Sequence, residues 1–105
     1  MQSANSSNLG ALNRYSAKKF EIPVNFMCFT PEAQEVFLAG DFNGWNPTSH
    51  PMNRQSDGAW TTQILFCHGH HRYWFVVDGQ PKLDPRAQGV GRNELNEKVS
   101  LVAVS

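Results

Sequence analysis

The sequence predicts an all-β protein, an antiparallel β-sandwich, on three observations. From Phe20 onward apolar residues recur at every second position, the period of a half-buried strand. Turn-forming residues interrupt these runs at short intervals, and no segment combines a helical apolar stripe with a convincing cap. With 105 residues, 40% of them apolar and 17% charged, the chain has enough core for about one domain and is neither a polar disordered tail nor a membrane protein.

Each element follows in order. Met1 to Asn8 is dominated by Ser and Asn and cannot bury enough apolar surface to offset its ordering entropy. Leu9 to Lys19 offers only Leu9, Leu12 and Tyr15 to a helical face, so residues 1–19 read as a flexible arm before a domain over residues 20–105. Phe20, Ile22, Val24, Phe26 and Cys28 then alternate with Glu21, Pro23, Asn25, Met27 and Phe29. Pro23 has no N–H for a ladder, which assigns this strand to a sheet edge or a bulge. Thr30, Pro31 and Glu32 turn the chain into a strand over Glu35 to Ala39 with Val36 and Leu38 inward, ended or bent by Gly40. Gly40 to Gly58 contains three Gly and two Pro and is too broken for a regular element. Trp60, Thr62, Ile64 and Phe66 share the face of the next strand. A histidine-rich hairpin turn, His68 to His70, leads to Arg72–Val77, where Tyr73, Phe75 and Val77 point inward and Arg72, Trp74 and Val76 outward. Asp78-Gly79 suits a tight hairpin turn, and Val99 to Val104 forms the last strand.

Charge and targeting signals narrow the function. Nine basic residues balance nine acidic ones, so there is no positive excess to drive counterion release from nucleic acid. No apolar run approaches the roughly 18 residues that span a bilayer, and residues 1–19 lack the core of a signal peptide, so neither a membrane nor secretion is expected and the default location is the cytoplasm. Cys28 and Cys67 are too few for a disulfide scaffold or a zinc site and read as free thiols, one inward and one outward. Aromatic residues make up 11% of the chain, including three Trp and seven Phe against two Ile. Some of those rings are surplus to a core of this size.

AGDFNGWNP, then HRYWFVVDG, LDP and the closing NEKVSLV together resemble carbohydrate-binding module family 48, and FTPEAQEVFL matches the family's proline-containing turn between its first two strands. These pieces cover Val24 to Val104. Family members include the glycogen-binding domain of the AMP-activated protein kinase beta subunit and the N-terminal modules of isoamylases and branching enzymes. The resemblance implies an immunoglobulin-like β-sandwich of the early-set type, without catalysis of its own, whose aromatic rings stack on an α-1,4-linked glucan. It also implies a glucan-processing enzyme or kinase-like subunit as partner, and no cofactor.

Sugars present C–H faces and a rim of hydroxyls, which calls for exposed flat rings and a few directed polar groups. Trp45, between Gly44 and Pro47, matches the family's first stacking tryptophan; the alternative is a lid folded back over the sheet. Trp74 stands where the kinase-subunit members resemble one another in carrying a sugar-contacting lysine, and either forms a platform or packs at an interface. Exposure of both rings on one side of the sandwich, in one plane, would favour sugar. Pro81 occupies the position of the family's second stacking tryptophan, and Lys82 beside it has no ring face and offers hydrogen bonds only. Asn96 resembles the family's sugar-bonding asparagine, with Glu97, Lys98 and Asn93 as alternatives for that role, and Leu95 is placed to contact the glucan. Asn in a loop also commonly binds its own backbone. Asp41, Asn43 and Asp84 read as turn-fixing residues.

Two other chemistries are disfavoured. Cys67 to His71, CHGHH, holds metal-ligating side chains in one segment, whereas zinc sites draw on two, so no metal is expected. Asp41, Asp57, Asp78 and Asp84 sit in turns, and no nucleophile elbow or phosphate loop is present, so an independent enzyme is not expected.

Overall fold

The computed structural model describes residues 21–105, so the arm expected over residues 1–19, and Phe20 with it, lie outside the described residues. Eight strands form two antiparallel sheets: β1 (Glu21–Phe29), β2 (Val36–Gly40), β3 (Asn53–Arg54), β4 (Ala59–Cys67), β5 (Gly69–Val77), β6 (Gln80–Lys82), β7 (Gly89–Arg92) and β8 (Lys98–Val104). One sheet runs β1-β4-β3; the other runs β2-β5-β8-β7, with β6 added to β5. Among the described residues β1 pairs with β4 alone, so Pro23 stands on an edge strand there.

The period-two pattern places the core. Phe26, Val36, Leu38, Trp60, Phe66, Tyr73, Phe75, Val102 and Val104 are buried between the sheets, with Ile22, Val24, Cys28 and Ile64 packed against them. Phe26 meets Tyr73 and Phe66 edge to face, with centroids 4.9 and 5.9 Å apart. Trp60 keeps its polar end satisfied by donating Nε1–H to the Thr30 carbonyl at 3.1 Å. The hairpin at 78–79 forms as expected, with Asp78 at φ 49° and Gly79 at φ 85°. Asp78 Oδ1 also accepts from the backbone N–H groups of Gln34 and Glu35, tying this turn to the entrance of β2.

Several local expectations are corrected. β5 starts at Gly69, not Arg72, and takes in His70 and His71. The segment before it is no hairpin: β4 and β5 belong to different sheets, and the chain crosses between them at His68 and Gly69, where φ is 134°. Residues 40–58 are less irregular than their Gly and Pro content suggests. They contain a single turn of 3-10 helix at Asp41–Asn43, a Phe37–Pro51 bridge and β3, which pairs with β4. The strands β6 and β7 are QPK and GVGR, too short and too poor in apolar residues to show a period. The outer face of the larger sheet is not simply solvated. Ala39, Val76 and Val99 lie on the Trp74 face by register and are still buried, outside the main core cluster.

Candidate functional site

The loop after β2 is built to present one ring. Gly40 ends the strand where a Cβ would run into the Arg72 carbonyl and the Phe42 ring. Its N–H donates to Asn43 Oδ1 at 3.0 Å, and its carbonyl accepts from Trp45 N–H at 2.8 Å. Asn43 Nδ2 donates to the Leu38 carbonyl at 3.2 Å and to Ser49 Oγ at 3.1 Å. Asp41 Oδ2 accepts the Arg72 N–H at 3.1 Å, and its other oxygen lies 3.9 Å from His71 Nδ1. Asp41 and Asn43 thus fix the loop, as their residue types suggest. The closure leaves Gly44 at φ 65° and Trp45 at φ 60°. A bulky side chain in the left-handed region costs about 1–2 kcal/mol, and such residues cluster at binding sites.

Trp45 lands against Trp74, their centroids 5.1 Å apart and their planes at 66°. Both rings are half-buried and lie on the outer face of the larger sheet. They are on one side of the sandwich but not coplanar: the edge of one meets the face of the other. Trp45 is thus neither a closed lid nor a free platform: part of its ring is spent on Trp74 and part stays at the surface.

The β7–β8 turn supplies the other wall. A groove of about 330 Å³ is lined by Trp45, Trp74, Asn93, Glu94, Leu95 and Glu97. Asn93 organises the turn: its Oδ1 accepts from the N–H groups of Leu95 and Glu97, both at 2.9 Å, and its Nδ2 donates to Glu97 Oε1 at 2.9 Å. Leu95 projects from the tip, 79% exposed. Asn96 has φ 64°, and its carbonyl accepts from Arg92 Nη1 at 2.8 Å, but its carboxamide bonds to none of the described residues and does not line the groove. The backbone-binding role common for loop asparagines thus falls to Asn93, while the Asn96 side chain stays uncommitted. Glu94 was not singled out from the sequence, where nothing marks an exposed turn glutamate as part of a wall.

Lys82 is not brought to this groove. β6 pairs Lys82 with Phe75 and Pro81 with Val76, so Pro81 shares the Trp74 face and Lys82 faces the other way. The β5–β6 hairpin thus puts a proline, with no aromatic ring to stack, on the Trp74 face.

Away from the groove, Asp84 ties the β6–β7 connection to the core. Tyr73 Oη donates to Asp84 Oδ2 at 2.6 Å, and the Asp84 N–H donates to Ser100 Oγ at 2.8 Å. Burial first, and then this hydrogen bond to a carboxylate, push the Tyr73 phenol well above the ordinary tyrosine range. Burial and the same carboxylate raise the Cys28 thiol. In the CHGHH segment His68 and His70 are exposed, and His71 Nε2 lies 2.9 Å from the Cys67 carbonyl. Among the described residues no three His, Cys, Asp or Glu side chains come together as a metal-holding group.

Comparison with known proteins adds relatives to this geometry. The chain is 38% identical over 88 residues to the 1,4-alpha-glucan branching enzyme GlgB 2 of Xanthomonas campestris, covering 78% of this chain and 12% of the relative. It is 53% identical over 41 residues to the 1,4-alpha-glucan-branching enzyme of Dictyostelium discoideum, 39% of this chain and 6% of that one. Against the chloroplastic protein PTST homolog 2 of Arabidopsis thaliana it is 38% identical over 53 residues, 50% of this chain and 10% of the relative. The chain therefore spans about a tenth of the length of these relatives. The family described as the glycogen recognition site of AMP-activated protein kinase matches residues 22–105, the whole two-sheet domain. On that match the chain belongs to carbohydrate-binding module family 48, a family of non-catalytic glucan-binding domains.

Proposed function

We propose that the groove between the loop after β2 and the β7–β8 turn binds an α-1,4-linked glucan of the glycogen or starch type, with Trp45 and Trp74 stacking on successive glucose units. The observation that carries this reading is the pairing of the two rings in one corner, walled by Leu95 and by polar groups. Rings at 66° fit a chain whose sugar planes turn from unit to unit better than a flat ribbon. Leu95 supplies an apolar contact, and the free carboxamide of Asn96 reaches sugar hydroxyls at the groove's rim. Glu97, with one oxygen held by Asn93, offers the other to a hydroxyl pair. Lys82 has no part in this arrangement, because its register turns it away.

Two rings that spend part of their surface on each other give weak binding, between about millimolar and tens of micromolar, or about 4–6 kcal/mol. Titration with a maltooligosaccharide or β-cyclodextrin, followed by tryptophan fluorescence, tests this; no response by about 10 mM defeats it. The limited coverage of the branching enzymes supports a further proposal, that the domain serves as an accessory module of a glucan-processing enzyme. Trp74→Ala separates this from a domain that docks a kinase-like or catalytic partner through the same face. Loss of glucan binding supports the sugar site, whereas loss of a co-purifying partner with glucan binding intact supports docking.

A further inference from the structure

His50 lies in the loop that carries Trp45 and is hydrogen-bonded into it. Its Nδ1 lies 2.9 Å from Asn43 Nδ2 and 3.0 Å from Ser49 Oγ. The Asn43 amide has only one orientation, because its Oδ1 accepts the Gly40 N–H. Nδ2 can therefore only donate, its two hydrogens shared among the Leu38 carbonyl, Ser49 Oγ and Nδ1 of His50, of which Nδ1 is the closest and stands as an acceptor. That requires a neutral ring with its proton on Nε2. From Asn43 the hydrogen bonds run to Gly40 N–H, and from the Gly40 carbonyl to Trp45 N–H, the residue held at φ 60°.

We propose that His50 is a positioning residue for Trp45, closing this latch through Asn43 and Gly40 while neutral and releasing it on protonation, so that glucan binding weakens in acid. The consequence for binding rests on the proposed contact of Trp45 with glucan; the latch itself does not. A proton on Nδ1 places an N–H against the Asn43 N–H₂ group, removes that acceptor and turns Nδ1 into a donor toward Ser49 Oγ. The groups packed around the ring are uncharged: Phe42, edge to face at 5.2 Å, Asn43, Ser49, and the β2 backbone, where Leu38 N–H donates to the His50 carbonyl. Among the described residues no carboxylate or cation lies within ion-pair distance of His50. Asp41, on the same loop, is engaged by the Arg72 N–H and faces His71. His71, on β5, is the other imidazole beside the loop. Protonation of its Nδ1 strengthens rather than breaks its contact with Asp41, so it works in the opposite direction.

The test is a pH titration of the sugar-free protein followed through the Trp45 indole N–H resonance, assigned with Trp45→Phe, between about pH 8 and pH 5. The wild-type signal is expected to shift along one titration. In His50→Asn, whose amide oxygen can take the place of Nδ1 without titrating, the shift should vanish; in His71→Gln it should remain. A stationary wild-type signal, or a shift that survives in His50→Asn, overturns the proposal. If His50→Asn fails to fold, the wild-type Asn43 side-chain amide signals decide. Movement with the same midpoint as the indole supports the latch, and immobility overturns it. In parallel, maltoheptaose affinity should fall about two- to tenfold from pH 8 to pH 5.5 in the wild type and stay level in His50→Asn. A wild-type affinity that does not change overturns the link to binding. Absence of binding at either pH defeats the glucan reading, and the indole signal then judges the latch independently.

Discussion

Replacing Trp45 by alanine and by glycine separates what its ring does from what its backbone costs. Both variants remove the ring, and with it the edge-to-face contact with Trp74, worth about 0.5–1.5 kcal/mol to the fold. They differ in the left-handed backbone at φ 60°. Alanine keeps most of the penalty for that conformation, about 1 kcal/mol, and glycine relieves it. Trp45→Gly should therefore unfold at higher temperature than Trp45→Ala, by about 4–8 °C for about 1 kcal/mol in a domain of this size. Binding should not distinguish them. A sugar covering about 60 Å² of the ring gains about 1.5 kcal/mol at 25 cal/mol per Å², so both variants should bind maltoheptaose about tenfold more weakly than the wild type. Thermal unfolding monitored by circular dichroism and titration calorimetry read the two effects separately. A glycine variant no more stable than the alanine variant refutes the strained-loop argument, and an affinity change under about twofold refutes the stacking argument.

Three further outcomes follow from the geometry. Gly40→Ala should destabilise the domain by several kcal/mol, because its Cβ meets the Arg72 carbonyl and the Phe42 ring; an unchanged urea midpoint counts against the close approach. Tyr73→Phe should cost about 1–2 kcal/mol at pH 7, since the lost hydrogen bond goes to a carboxylate that water can partly reach. The sign reverses with alkali: the fold holds the phenol protonated, so this stability is present below the ordinary tyrosine pKa of about 10 and is lost as the pH climbs above it. Urea midpoints for Tyr73→Phe and wild type should converge at high pH, and a constant gap argues against a raised phenol. In thiol labelling at neutral pH, exposed Cys67 should react fast and Cys28 slowly, because burial raises the latter's thiol; equal rates contradict the packing of Cys28 against the core.

The alternating runs made the fold legible because period two carries both the strand and its buried face. Phe26, Leu38, Phe66 and Phe75 went to the core on that basis. The pattern stops short where elements carry no apolar period. GVGR in β7 and QPK in β6 are strands because neighbours pair with them, and the CHGHH segment crosses between sheets because of where β4 and β5 end. The site was legible in part. Trp45, Trp74 and Leu95 were singled out and line one groove; Asn96 does not line it, Lys82 faces away, and Glu94 gave no signal.

The sequence by itself determined which residues alternate, that Asp78-Gly79 closes a hairpin, that Pro23 needs a sheet edge, and that two tryptophans exceed what the core requires. Those are properties of neighbouring residues and of composition. Only the tertiary structure decided that Trp45 and Trp74 meet, at 5.1 Å and 66°, and that the β7–β8 turn walls the groove beside them. The reason is sequence separation: the groove joins residues from three distant stretches, and a ladder register moved by one residue turns Lys82 or Pro81 to the opposite face. Likewise, it took the folded loop to show His50 accepting a hydrogen bond from Asn43 and so reaching Trp45 through the backbone of Gly40.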